Sequence, residues 1–161
     1  MALGIAADAV AVGIHELIAA YAECIDDDRL EEWPDLFVDN CRYLITDRES
    51  HMAGLRHGII YCASRGMLAD RVTSLRRVLM FEAHRYRHVT APVRVDKVEG
   101  GIAEARSNFL VVRIMHDGET SLFATGRYLD RIDVSRAPFR FIERTVVLDS
   151  QKIDTLLVIP L

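Results

Sequence analysis

Two turn dipeptides, Gly100-Gly101 and Asp117-Gly118, and the long apolar runs that follow them constrain this chain more than any other feature. Both dipeptides are of the kind that tolerates positive φ, and they set off Ile102 to Met115 and Ser121 to Ile132, rich in Val, Ile, Leu, Phe and Tyr. The pattern predicts a hairpin of two antiparallel strands. Each run exceeds the usual five or six residues of a strand. Long paired strands twist and coil, so the sheet seeded here is expected to curve strongly. Within the first run the even positions pass from Glu104, Arg106 and Asn108 to Leu110, Val112 and Ile114, while Ala103, Ala105, Phe109, Val111 and Met115 occupy odd ones. One end of the hairpin is therefore expected to be covered on both faces and the other on one.

The remaining segments supply what packs on such a sheet. Val10, Ile14, Leu17, Ile18, Tyr21 and Ile25 fall on one helical stripe, with Asp8 as the expected cap. Asp26-Asp27-Asp28 closes that helix and opens a short second one. There Asp28 and Glu31 resemble a capping box, Leu30, Trp33 and Phe37 form the apolar face, and Pro34 limits the length. Three successive aspartates also suggest a metal site, but acidic groups at a helix N-terminus are favoured by its dipole alone. Cys41 to Thr46 reads as a strand, Asp47 to Gly58 as an irregular loop, and Leu68, Val72, Leu75 and Leu79 as one face of a third helix. Arg85 to Val98 alternates, with Val89, Ala91, Val93 and Val95 on one face and Tyr86, His88, Thr90, Arg94 and Asp96 on the other. Pro92 inside it demands an edge or a bulge. Phe139 to Leu148 and Ile153 to Ile159 read as the last strands. Helices first and strands afterwards make an α+β fold. We expect a single domain, residues 1–161, shaped as a cone: three N-terminal helices across the open side of a strongly curved, mainly antiparallel sheet.

Composition narrows the function classes. Half of the residues are apolar, enough for a sizeable core, and the net charge of −4 gives no global field that would attract nucleic acid. No apolar run approaches the roughly 18 residues of a membrane span, and no basic-then-apolar leader opens the chain, so a soluble cytoplasmic protein is expected. Cys24, Cys41 and Cys62 are odd in number, far apart and outside any C-x-x-C pair, which argues for buried thiols over disulfides or zinc. Nucleotide-binding glycine motifs, a G-x-S-x-G elbow and an H-E-x-x-H pair are all absent. His84 and His88 would pair on a helix, but on a strand they stand roughly 13 Å apart.

Two groups of residues remain as site candidates. His88 shares a strand face with Tyr86 and Thr90, and inside the cone it would lie near Asp70 or Tyr61 as an acid/base set. The plainer role is a histidine that ties strands and helix together by hydrogen bonds. Arg71, Arg76, Arg77, Arg127, Arg131 and Arg144 outnumber what solubility needs, and Asp70, Asp130, Glu143 and Asp149 are candidate partners. Bidentate arginine–carboxylate pairs of this kind suit subunit interfaces.

Several stretches, in this order and spacing, resemble the small, or beta, subunit of bacterial aromatic-ring-hydroxylating dioxygenases. They are Met67-Leu68-Ala69-Asp70-Arg71-Val72, Leu75-Arg76-Arg77, Arg85-Tyr86-Arg87-His88-Val89, Arg106-Ser107-Asn108-Phe109, Gly126-Arg127-Tyr128-Leu129-Asp130 and Glu143-Arg144-Thr145-Val146-Val147-Leu148-Asp149. Trp33-Pro34-Asp35-Leu36-Phe37 followed by Tyr43 is similar too. The resemblance implies the cone fold of scytalone dehydratase and ketosteroid isomerase. It also implies a trimer of small subunits beneath three large (alpha) oxygenase subunits, with the [2Fe-2S] Rieske cluster and the mononuclear Fe(II) held by the large subunit. This chain lacks the paired Cys/His motifs for such a cluster, so no metal or cofactor is expected in it. Its implied role is structural, with Arg71, Arg76, Arg77, Arg127, Asp130, Arg144 and Asp149 in networks within and between subunits. The resemblance leans toward systems acting on aromatic acids such as salicylate, benzoate or terephthalate. Two other readings stay open: a free-standing dehydratase or isomerase using Asp70, His88 and Tyr61, and a small-ligand binding module without an enzyme partner.

Overall fold

The computed structural model describes residues 2–152 and 157–161, with side chains from residue 8 onward. Helix α1 (Ala2–Asp26) presents Ile14, Leu17, Ile18, Tyr21 and Ile25 to the core, as the stripe predicts. It starts upstream of Asp8, which lies exposed within the helix and caps nothing. Alanine and leucine before it are strong helix formers and carry the helix back. A 3-10 helix (Leu30–Leu36) follows in place of the expected capped α-helix. Pro34 has no N–H to offer an i−4 carbonyl, which favours the tighter turn, and Asp28 takes a left-handed φ of 57° without capping it.

Strand β1 (Phe37–Asp47) leads into α2 (Arg48–Met52), a helix where sequence alone suggests only irregular loop. Asp47 caps it, its carboxylate accepting from the Ser50 N–H at 2.9 Å. After β2 (Ile60–Cys62), α3 (Arg65–Arg77) is capped by Ser64 and buries Leu68, Val72 and Leu75; Leu79 lies past its end. The alternating run around Pro92 is two strands, β3 (His84–Thr90) and β4 (Arg94–Glu99), which pair in turn with one edge of β5. On β3 the valine face is the outer one: Tyr86 and His88 are buried, while Val89 is exposed.

The hairpin is as the glycines predict: β5 (Ile102–Met115) pairs in antiparallel register with β6 (Thr120–Asp133), and Gly100, Gly101 and Gly118 all have positive φ. Strand β7 (Arg140–Leu148) completes a seven-stranded sheet in the order β2-β1-β7-β6-β5-β3, with β4 beside β5. All pairings are antiparallel except β1 with β7. Of the expected last strand, residues 153–156 lie outside the described residues. Leu157 to Ile159 form no strand, and the segment 157–161 is buried.

The core lies between the inner face of the sheet and α1, α3 and the 3-10 helix. It is dominated by rings: Tyr21, Trp33, Phe37, Tyr43, Tyr128 and Phe141 are all fully buried and meet mostly edge to face. Cys24, Cys41 and Cys62 are buried free thiols, and burial pushes all three upward, Cys24 to about 12. No described helix is long and apolar enough to cross a membrane.

Candidate functional site

The centre of the cone is occupied by Arg144. Register places it on β7 opposite Asp130 of β6, and both side chains point inward. Its Nε donates to Asp130 Oδ1 and its Nη2 to Asp130 Oδ2, each at 2.8 Å. The guanidinium also lies 4.0–4.1 Å from the ring centres of Tyr21, Tyr128 and Phe141. A planar cation suits such a box, since its edge serves the carboxylate while its faces meet π-electrons. Burial works against its charge, but Asp130 and the surrounding rings hold the Arg144 pKa above its ordinary value. Burial likewise pushes the Asp130 carboxyl upward against the pull of Arg144. The Tyr21 and Tyr128 phenols are driven far above their usual range by burial, so neither is an acid for chemistry near neutral pH.

The mouth of the same space is closed by the chain. Tyr21 donates to the Leu161 main-chain oxygen at 2.6 Å and Tyr43 to it at 3.0 Å, while the Leu161 N–H donates to the Tyr43 hydroxyl. Arg71 Nη2 reaches the carbonyls of Leu157 (3.3 Å) and Val158 (3.0 Å), fixing the same segment from α3. The interior is thus filled by the chain's own side chains and closed over by segment 157–161.

His88 is paired, though not as the sequence suggests. Asp26, at the end of α1, accepts from the His88 main-chain N–H at 2.9 Å and contacts His88 Nδ1 at 2.6 Å. Both side chains are almost fully buried, and Nε2 finds no hydrogen-bond partner among the described residues. Asp70 and Tyr61, the expected companions, are exposed on α3 and on edge strand β2. The Asp70, His88 and Tyr61 set is thus not brought together. Asp26 escapes sequence reasoning because a run of three aspartates at a helix end already has an explanation; only its neighbours Asp27 and Asp28 turn out to face solvent.

The other candidate residues have separate duties. Arg76 grips Asp28 at 2.8 and 3.0 Å and Glu31 at 2.8 and 3.1 Å, tying α3 to the corner after α1 and holding the Glu31 carboxyl below its usual range. Asp28 and Glu31 thus serve Arg76 instead of a capping box. Asp130 and Arg144 form an internal pair, and Asp149 accepts from the Thr125 hydroxyl at 2.9 Å. Arg127 donates to Asn108 at 3.1 Å beside an open surface cavity of about 480 Å³ that Arg48 and His51 also line. Arg77 is exposed. Among the described residues, no three His, Cys, Asp or Glu side chains gather as a metal site would require.

A curved sheet closed by helices, with an arginine–carboxylate pair in place of a cavity, defines a solid cone of the α+β class. The chain belongs to the ring hydroxylating beta subunit family, whose model matches residues 20–155. It is 42% identical over 143 residues to a beta subunit of the terminal oxygenase component of terephthalate 1,2-dioxygenase from Comamonas sp, covering 89% of this chain and 93% of that one. To the anthranilate 1,2-dioxygenase small subunit of Burkholderia cepacia it is 34% identical, over 92% of each chain. A crystal structure from Novosphingobium aromaticivorans, assigned as the beta subunit of an aromatic-ring-hydroxylating dioxygenase, superposes with a TM-score of 0.89 at 40% identity. It covers 97% of this chain and 99% of the other. The fold extends past the family, as the resemblance implies: a chain of that organism assigned as a scytalone dehydratase reaches a TM-score of 0.68 at 16% identity.

Proposed function

We propose that this chain, as one domain, is the non-catalytic brace of an aromatic-ring-hydroxylating oxygenase in the cytoplasm, three copies of it organising three large subunits. The carrying observation is the filled interior: Arg144, Asp130 and three aromatic rings occupy the space a substrate would need. The [2Fe-2S] Rieske cluster and the mononuclear Fe(II) then belong to the large subunit, and so does the ring chemistry. Electron transfer between the cluster of one large subunit and the iron of its neighbour depends on fixed spacing. A closed ring of small subunits supplies fixed spacing without chemistry of its own. Terephthalate and anthranilate, named for two relatives, point to an aromatic acid as the substrate class.

One observation favours a second reading, a dehydratase or isomerase: the buried His88–Asp26 pair with its unpartnered Nε2. Asp26→Asn separates the two. In the purified complex with the large subunit, turnover per assembled complex is expected to match the wild type, and the isolated chain to have no turnover. A loss of kcat in fully assembled complex, or isomerase or dehydratase turnover by the chain alone that the variant abolishes, would overturn the structural role.

A further inference from the structure

The outer side of the sheet carries an apolar patch that the described chain leaves uncovered. Val89 stands opposite Leu110, Val112 opposite Leu122, and Ile114 completes the next row. Val89 is 52% exposed and Leu122 64%, with Leu110, Val112 and Ile114 half-buried. This is the end of the hairpin whose sequence is apolar on both faces, a pattern that belongs to strands covered on both sides. Exposed Arg85 and Arg87 rim the patch on β3, Arg87 also standing 3.7 Å from the Asp26 carboxylate, and exposed Arg127 rims it on β6.

A second surface has the opposite character. Val78, Leu79, Met80 and Phe81 join α3 to β3 as four successive exposed apolar residues, Met80 being 97% exposed. Arg76, just before them, bonds to Asp28 and Glu31, so this knob borders the acidic corner after α1. Beside the knob that corner carries Asp27, Asp28, Glu31 and Glu32, which pair among the described residues with Arg29 and Arg76, whereas Asp35 and Asp39 pair with Arg65 at the other end of α3. Arg77 is about 200° round the helix from buried Leu75 and points away from it.

We infer that the knob with its acidic border and the patch with its arginine rim are the two halves of one contact between copies of this chain. Apolar meets apolar, and guanidinium meets carboxylate. A face-to-face dimer would set Arg85, Arg87 and Arg127 against their own images, an arrangement that like charges oppose. Two different surfaces meeting head to tail close into a ring when the rotation allows it. The inference rests on the trimer proposed above and names the surfaces that would form it.

The test uses the full chain, alone and co-expressed with its large subunit, followed by sedimentation and native mass spectrometry. Leu122→Glu damages the patch and Met80→Glu the knob. Both sites are exposed, and circular dichroism confirms that each variant is folded. Trimer is expected from the wild type and monomer from each variant alone. An equimolar mixture should recover dimers, because the knob of the Leu122→Glu copy still fits the patch of the Met80→Glu copy. Variants that remain trimeric overturn the inference, as do variants that stay monomeric when mixed. Intact self-association with lost binding of the large subunit assigns the patch to that subunit instead. A wild-type chain that is monomeric alone and not trimeric in the complex overturns the trimer itself, a failure distinct from the other three.

Discussion

At the scale of single residues, the commitment that shapes this protein is a charge placed in its middle. Taking a guanidinium and a carboxylate out of water costs several kcal/mol per ion, and the pair offsets this only with good geometry. Arg144 and Asp130 have it, with two bonds of 2.8 Å and three rings around the cation. Arg144→Met should therefore destabilise by about 3–5 kcal/mol, since Asp130 is left buried and alone. Adding Asp130→Leu should recover most of that loss, because an apolar pair of similar volume needs no hydrogen bonds. Urea denaturation of the two single variants and the double variant measures both values. A double variant whose loss equals the sum of the two single losses would show that the residues contribute nothing as a pair. The motifs name both residues in sequence, but nothing short of the register reveals that they face each other inside.

At the scale of elements, the strands are the most legible part and their contacts the least. The hairpin follows from glycines that the backbone needs: φ is 58° at Gly100, 78° at Gly101 and 90° at Gly118. Gly126 is a different case. It lies mid-strand with no turn to explain it, and its reason appears only in three dimensions. A Cβ there would sit 2.2 Å from the Val147 carbonyl oxygen and 3.0 Å from the Phe109 ring. Gly126→Ala should force β6 from β7 and cost about 1–3 kcal/mol, as overpacking does. Gly66→Ala is the contrast: on α3, with nothing nearer than the Ser64 hydroxyl at 3.7 Å, it should stabilise by about 0.4–1 kcal/mol. Thermal unfolding of both variants checks the opposite signs. The same gap between local and global explains the misread acidic corner. Asp28 and Glu31 carry a capping spacing, yet Arg76, 48 residues from Asp28, decides what they do. Local pattern has no access to a partner brought in by packing.

At the scale of the molecule, a filled interior turns attention to the surface, where exposed residues without an ion pair among the described residues are candidates for contacts with other chains. Arg77 is such a residue. It follows Arg76, which is fully occupied within the chain, and it lies on the opposite face of α3 from Leu75. An arginine inside the fold's own networks would, on reversal, lower stability first. An arginine reserved for the large subunit would lower assembly and leave the fold alone. Arg77→Glu should lower the melting temperature of the isolated chain only slightly, because reversing an exposed charge in the last turn of α3 costs at most about 1 kcal/mol. In co-expression with the large subunit it should reduce the assembled fraction in size-exclusion chromatography, more at low salt than at high, since charge reversal acts through a screened field. Turnover per assembled complex should remain at the wild-type value. Full assembly at low salt would remove Arg77 from the interface, and a stability loss well beyond the helix-dipole cost would return it to the fold.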